Sequence, residues 1–442
     1  MKLGVLSLGC DKATVDSERL VAEFVGHGAE VTRALGDADV ILVNTCGFID
    51  AAKRESIDAL LQAARTKVEG RCRAVVAVGC LVARYPEELR RDLPEVDYFY
   101  GFADLPRLVP ELVRDGFLAE AEVLHPGERV FLGTAPHVRY LKISEGCDHA
   151  CAFCAIPLMR GKHRSRPLEA LVREARLLEL QGAREINLIA QDLGHYGRDV
   201  PDGPLLPDLL RALLAGTSVP WYRMLYVYSA GITAELVDLL ATERRLVPYL
   251  DMPIQHAADR MLDAMRRPER QRTIRAMIAR LRDTVPDIAI RTTALVGFPG
   301  ETDADFRELV EFMDEVRFDG LGAFAYSAQE GTAAAALADD VPEHLKQERL
   351  GELLEIQRAI SAERLEETVG REVEVLVDGP AEEGSPAPVV GRTAWQADDV
   401  DGCTYLRGDG AGARRGAPRP GSFVRARIVE ALDYDVVAEP LA

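Results

Sequence analysis

Residues 140–155 read YLKISEGCDHACAFCA, a strand-like run that leads directly into Cys147, Cys151 and Cys154 at the spacing C-x3-C-x2-C. Three thiolates on one short loop suit three corners of a 4Fe-4S cube and leave the fourth iron open to a small molecule. The rival chemistry for such a loop is a closed zinc site, which asks for a fourth Cys or His at ordinary spacing. His149 instead falls between the cysteines. The loop follows a strand, and the carboxyl ends of strands are where parallel βα barrels carry chemistry.

Downstream the strand signal recurs in EINLIAQD (185–192), YRMLYVYS (222–229), YLDMPIQ (249–255), AIRTTALVGF (289–298) and GLGAFAYS (320–327). Helical patterns such as LEALVREARLLELQG (168–182) and ADFRELVEFMDEV (304–316) stand between them. With RYLKIS (139–144) this makes six βα units, too few for an eightfold barrel, so an open or partial barrel is predicted. A long helical stretch, residues 344–370, leads out of it.

Upstream, KLGVLSLG (2–9), ADVILVNT (38–45) and RAVVAVG (73–79) are short apolar runs of the kind buried on both faces of a parallel sheet. Helical stretches begin near Ser17 and Ala51, giving a βαβ pattern. Each run ends on a cysteine: Cys10, Cys46 and Cys80. A single cysteine there reads as a packing residue, since free Cys is commonly buried. Three at equivalent strand ends, two of them preceded by Gly, predict a second open cluster at the sheet's carboxyl edge. Cys72 and Cys403 lack comparable partners and are read as packing residues.

From Arg371 onward, apolar and polar residues alternate between Gly- and Pro-rich turns, which predicts a small antiparallel β-barrel with an exposed loop at 408–421. The expected fold is therefore α/β in three parts: a parallel-sheet α/β domain (1–115), a partial βα barrel (133–368) and a small β-barrel (371–442).

Composition excludes several classes. The charged share of 28% and hydrophobic share of 48% describe an ordinary folded protein, and no run approaches the roughly 20 apolar residues of a membrane span. The start, MKLGVLSLGC, has an apolar run only from Leu3 to Gly9, too short for an export signal, so a cytoplasmic protein is expected. A formal charge of −19 disfavours nonspecific nucleic acid binding and favours a basic partner.

Nearly the whole chain resembles the radical S-adenosylmethionine methylthiotransferases, with their N-terminal three-cysteine domain, radical barrel and terminal TRAM domain. SLGCDKATVDSE, NTCGFIDAAKRESID, GCLVARYPEEL, YLKISEGCDHACAFCAIPLMRGKHRSRP, YLDMPIQHA and VGFPGETDADF carry the resemblance. They lie closest to the branch that modifies an aspartate of small-subunit ribosomal protein twelve. One departure stands beside a cluster ligand: the usual Cys-Pro-Lys-Asn is here Cys10, Asp11, Lys12 and Ala13.

The resemblance implies two 4Fe-4S clusters: an auxiliary one on Cys10, Cys46 and Cys80, and a radical-generating one on Cys147, Cys151 and Cys154 that binds S-adenosylmethionine. It implies two S-adenosylmethionine molecules per product, one giving methyl to sulfur and one giving the radical that removes hydrogen from an unactivated carbon. An electron donor such as flavodoxin or ferredoxin is expected. Candidates for holding S-adenosylmethionine are Phe153, placed to stack on adenine, and the strand-end residues Gln191, Ser229, Gln255, His256, Arg291 and Gly297–Glu301, with Glu185 and Arg160 behind them.

The transfer RNA-modifying branch of the family is the near rival. An RNA-binding terminal module should present a basic face. Residues 371–442 hold eight arginines and no lysine against thirteen carboxylates, a balance of −5. Arg407, Arg414, Arg415, Arg419, Arg425 and Arg427 remain as a local patch, but a basic ribosomal protein is the expected substrate rather than nucleic acid. A non-catalytic electron carrier is a rival of another class. It needs fully ligated clusters, usually four cysteines each, and two triads do not supply them.

Overall fold

Val40–Thr45 and Ala74–Gly79 are buried at every position, the pattern of strands covered on both faces. They are β3 and β4 of a five-stranded parallel sheet that also contains β1 (Lys2–Ser7), β2 (Glu30–Thr32) and β5 (Tyr98–Tyr100), in the order β2-β1-β3-β4-β5. Alternate residues sort to opposite faces. Val40 and Leu42 join Leu20, Phe24, Leu108 and Leu112 of α1 (Asp11–Gly26) and α5 (Leu105–Arg114). Ile41 and Val43 join Leu60, Leu81 and Leu89 of α2 (Asp50–Glu69), α3 (Cys80–Arg84) and α4 (Pro86–Asp92). The sequence predicts the three long strands; β2 and β5, at three residues each, are too short to show a period.

These elements belong to the first of two units in the computed structural model, which describes residues 1–121, 129–133, 135–408 and 418–441. The first unit comprises Met1–Gly133, Ser144–Arg166 and Ser327–Thr332; the rest of the chain forms the second. The C-x3-C-x2-C loop thus packs with the N-terminal sheet. Within that segment, the hairpin strands β7 (Ser144–Glu145) and β8 (Arg164–Ser165) enclose the loop and α6 (Ile156–Arg160).

In the second unit, β6 (Val138–Lys142), β9 (Glu185–Ile189), β10 (Trp221–Met224), β11 (Leu246–Asp251), β12 (Ala289–Val296) and β13 (Gly320–Ala325) pair in parallel, each with its successor. The six predicted strands are the six observed, and the sheet is open, as the partial-barrel reading requires. Helices packed on it include Leu168–Leu180, Asp303–Val316 and Glu343–Glu366. No helix among the described residues is long and apolar enough to cross a membrane.

The C-terminal strands β14 (Glu372–Pro380), β15 (Val389–Arg392), β16 (Thr404–Leu406), β17 (Phe423–Ala431) and β18 (Val436–Pro440) close into a barrel in the order β14-β15-β16-β18-β17. One pair departs from the antiparallel expectation: β16 and β18 run parallel, because β17 crosses over to pair with β14 and leaves β16 beside β18. Most of the predicted 408–421 loop, including Arg414 and Arg415, lies outside the described residues.

This small barrel is seated on the amino ends of the larger barrel's strands through buried ions. Glu185, the first residue of β9, accepts from Arg223 Nε at 2.7 Å and from Arg392 Nη1 at 2.7 Å. Arg223 also donates to the Ala394 carbonyl, and Arg392 to Asp378, which His137 meets at 2.8 Å. Burial alone would raise the Glu185 pKa, yet the two guanidiniums outweigh it and hold the group below the usual carboxylate range. Glu185 is therefore corrected from a ligand candidate to a docking residue. Glu185→Ala should destabilise the second unit by roughly 3–5 kcal/mol, because it leaves two buried guanidiniums without their shared anion. Urea unfolding followed by fluorescence checks this, and an unchanged midpoint refutes it.

Candidate active site and metal centres

The N-terminal sheet reverses its winding between β1 and β3, and a parallel sheet opens a ligand crevice at such a point, beyond its carboxyl ends. Cys10, Cys46 and Cys80 follow β1, β3 and β4 there. With neighbouring strands about 5 Å apart, the three are carried within about 10 Å of one another.

Glycines let the three loops meet. Gly9, at φ +99°, passes so close that an added Cβ would lie 3.3 Å from the Cys46 Cβ and 3.4 Å from its Sγ. A Cβ on Gly47 would lie 2.7 Å from the Leu81 Cα. The backbone of Cys46 is fixed by Ser56, whose Oγ accepts from the Cys46 amide and donates to its carbonyl, both at 2.9 Å. Asn44 Nδ2 donates to the Ala13 carbonyl and to Ser17 Oγ, each at 2.9 Å, tying the helix that starts at Cys10 to β3. Ala13, one of the departures from the usual motif, is buried in this contact. Sequence reasoning missed Ser56 and Asn44; the only signal was a polar residue inside the apolar run VILVNT.

Cys10 is exposed, Cys46 half-buried and Cys80 buried, so the site opens on the Cys10 side. Burial pushes the Cys80 thiol up to about 11 and raises that of Cys46. The negative charge of Cys10 adds to both shifts, and Arg160 opposes them. Metal binding replaces such protons, and three mutually sensitive sulfurs with a nearby cation fit an anionic cluster.

The second triad lies on an irregular loop closed at its base by the β7–β8 hairpin, with Ser144 opposite Ser165 and Glu145 opposite Arg164. The Cys147 amide donates to the Gly161 carbonyl at 3.1 Å, and the Cys154 amide to the Cys151 carbonyl at 3.2 Å. Gly146, at φ +76°, cannot be replaced: a Cβ would lie 2.1 Å from the Lys162 carbonyl oxygen. All three cysteines are half-buried, as is Phe153 directly before Cys154. A rigid loop offering three sulfurs fits the cube with one open iron.

In the second unit, Gln191, Ser229, Gln255 and Gly297 stand beyond the carboxyl ends of β9, β10, β11 and β12, four adjacent strands. Gln255 has φ +69°, a left-handed conformation costing a non-glycine residue on the order of 1 kcal/mol and typical of ligand sites. Its amide donates to the Thr293 carbonyl at 2.8 Å, and its carbonyl accepts from the Leu295 amide at 2.7 Å. Ser229 Oγ donates to Glu269 Oε1 at 2.8 Å, a partner the sequence did not suggest. Glu301 folds the turn back: Oε2 accepts from the Gly297 amide at 2.9 Å and Oε1 from Arg349 at 2.8 Å. His256 is fully buried, its Nδ1 accepting from the Ala258 amide at 3.0 Å and its Nε2 lying 3.6 Å from Glu301 Oε2.

Arg291 is not brought to that group. It is the third residue of β12, six before Gly297 and so roughly 20 Å along the strand, and it faces Asp251 at 3.5 Å and Asp401 of the small barrel at 3.4 Å. Arg160 belongs to the first unit, where it pairs with Asp16 and Glu145.

Comparisons with known proteins agree with this architecture. Residues 2–101 match the uncharacterized protein family UPF0004, residues 141–313 the radical SAM superfamily and residues 369–441 the TRAM domain. The chain is 43% identical to the ribosomal protein uS12 methylthiotransferase RimO of Geobacter sulfurreducens, over 99% of this chain and 98% of that protein. It is 45% identical to the one from Desulforudis audaxviator, over 100% and 97%. Among solved structures, the radical S-adenosylmethionine methyltransferase TsrM of Kitasatospora setae superposes with a TM-score of 0.56 at 13% identity, covering 81% of this chain and 89% of that one, a likeness of fold. With its full-length relatives, its domain order and its strand-end cysteine triads in accord, the chain belongs to the RimO family of radical S-adenosylmethionine methylthiotransferases.

Proposed function

We propose that this protein attaches a methylthio group to the β-carbon of an aspartate in small-subunit ribosomal protein uS12. The observation that carries the reading is identity of 43% or more over essentially the full length to relatives named for that activity. Cys10, Cys46 and Cys80 hold an auxiliary 4Fe-4S cluster that handles the sulfur, and Cys147, Cys151 and Cys154 hold the radical-site cluster. When bound, the radical-site cluster supplies the electron that cleaves S-adenosylmethionine, chemistry that acid-base side chains cannot perform on an unactivated carbon.

The chain's own residues bind and orient. Gln191, Ser229, Gln255 and the Gly297–Glu301 turn hold S-adenosylmethionine, with Glu269 fixing the Ser229 hydroxyl and Arg349 fixing Glu301. Phe153 packs on adenine. A flavodoxin or ferredoxin in the cytoplasm supplies electrons.

A protein substrate is preferred to transfer RNA on charge. In the terminal barrel Arg407 pairs with Glu430 and Glu439, and Arg425 and Arg427 both pair with Glu372, so these three arginines do not form an uncompensated basic face. The test incubates enzyme, reductant and S-adenosylmethionine with uS12 and with transfer RNA in parallel. A methylthio mass increment on one aspartate-containing uS12 peptide, with RNA unchanged, is expected. Modification of the RNA alone overturns the substrate assignment.

A further inference from the structure

Arg160 ends α6, six residues beyond Cys154, yet its surroundings belong to the other triad. Its side chain is only 2% exposed. Nη1 donates to Asp16 Oδ2 at 3.1 Å and to Glu145 Oε1 at 2.8 Å, and the guanidinium lies 4.4 Å from the centre of the Phe102 ring. Asp16 is on α1, the helix that begins at Cys10, and Glu145 stands two residues before Cys147. Ala155 and Met159, from the same stretch of chain, pack directly on Cys80 beside Phe102 and Ile156. The guanidinium is thus held between the Cys10 helix, the Cys80 helix and the base of the radical loop.

Among the described residues, Nη2 is buried and, unlike Nη1, donates to neither carboxylate. Its position beside the auxiliary triad is fixed by geometry, because Ala155 and Met159 of the same turn pack on Cys80. A buried cation beside a cluster stabilises the more negative, reduced state, and such neighbours are among the protein's main means of setting cluster potential. Asp16 and Glu145 oppose it and fix its orientation. Lys would keep the charge on one nitrogen, as Nη1 already serves both carboxylates, but not the planar guanidinium over the Phe102 ring.

We propose that Arg160 is a positioning residue of the auxiliary centre, holding Cys80 in place and raising the reduction potential of the cluster bound there. The inference rests on reading Cys10, Cys46 and Cys80 as a cluster site. It also means that a residue of the radical loop sets the electronic state of the second cluster.

The experiment uses full-length protein carrying Cys147→Ala, Cys151→Ala and Cys154→Ala, reconstituted anaerobically so that only the auxiliary cluster contributes, with iron content and a redox titration followed by electron paramagnetic resonance. Arg160→Gln should move the midpoint to more negative potential, Asp16→Asn to more positive potential, and Arg160→Lys should stay near the parent. Opposite signs for the first two are the signature, since simple loosening of the site would move both the same way. Iron bound normally with potentials unmoved, or both moved in one direction, overturns the role of Arg160 and leaves the auxiliary cluster standing. A parent protein that takes up no iron overturns both readings.

Discussion

Replacing Cys147, Cys151 and Cys154 together with Ala is expected to lower bound iron from about eight atoms to about four and to abolish formation of 5′-deoxyadenosine. The loop's fold does not depend on its sulfurs. Its base is closed by the β7–β8 pair and by the Cys147 amide on the Gly161 carbonyl, backbone bonds that alanine keeps. The variant should therefore fold, retain the auxiliary cluster and fail only in cleavage. Iron analysis and chromatography of the nucleoside under dithionite measure both quantities. Persistent 5′-deoxyadenosine would show that the radical site lies elsewhere.

The complementary replacement of Cys10, Cys46 and Cys80 is expected to leave 5′-deoxyadenosine formation while reducing methylthiolated uS12 to background. The separation follows from placement, since these cysteines hang from β1, β3 and β4 whereas the radical triad has its own hairpin-closed loop. The alanines are sterically mild, because they remove sulfur without adding bulk where Gly9, Gly47 and Gly79 bring the loops together. Loss of an anionic neighbour leaves Arg160 with Asp16 and Glu145, so its burial remains compensated. Product formed at the normal yield by this variant would remove the auxiliary cluster from the reaction.

The sequence by itself determined the elements that repeat and the residues that carry the chemistry. Long apolar runs such as VILVNT and AVVAVG announce buried strands because every position is covered, and β9 and β10 of the open barrel show the same signal. The two cysteine triads were legible because each sits at a fixed place relative to such a strand, one by local spacing and one by position at three strand ends.

Tertiary structure decided the rest, wherever a residue's role is set by partners distant in sequence. Glu185 and Arg291 look like strand residues of an active barrel, and only the seated β-barrel, with Arg392 and Asp401 more than a hundred residues away, reveals them as its anchors. The parallel β16–β18 pair depends on where β17 crosses, which alternation within a strand cannot encode. Ser56 fixes the Cys46 backbone and Asn44 ties the Cys10 helix to β3 across 31 and 27 residues, partners that no local spacing reveals. Arg160 follows the radical triad in sequence but lies between Asp16 and Cys80 in space, because α6 packs its apolar face on Cys80 and carries the guanidinium with it.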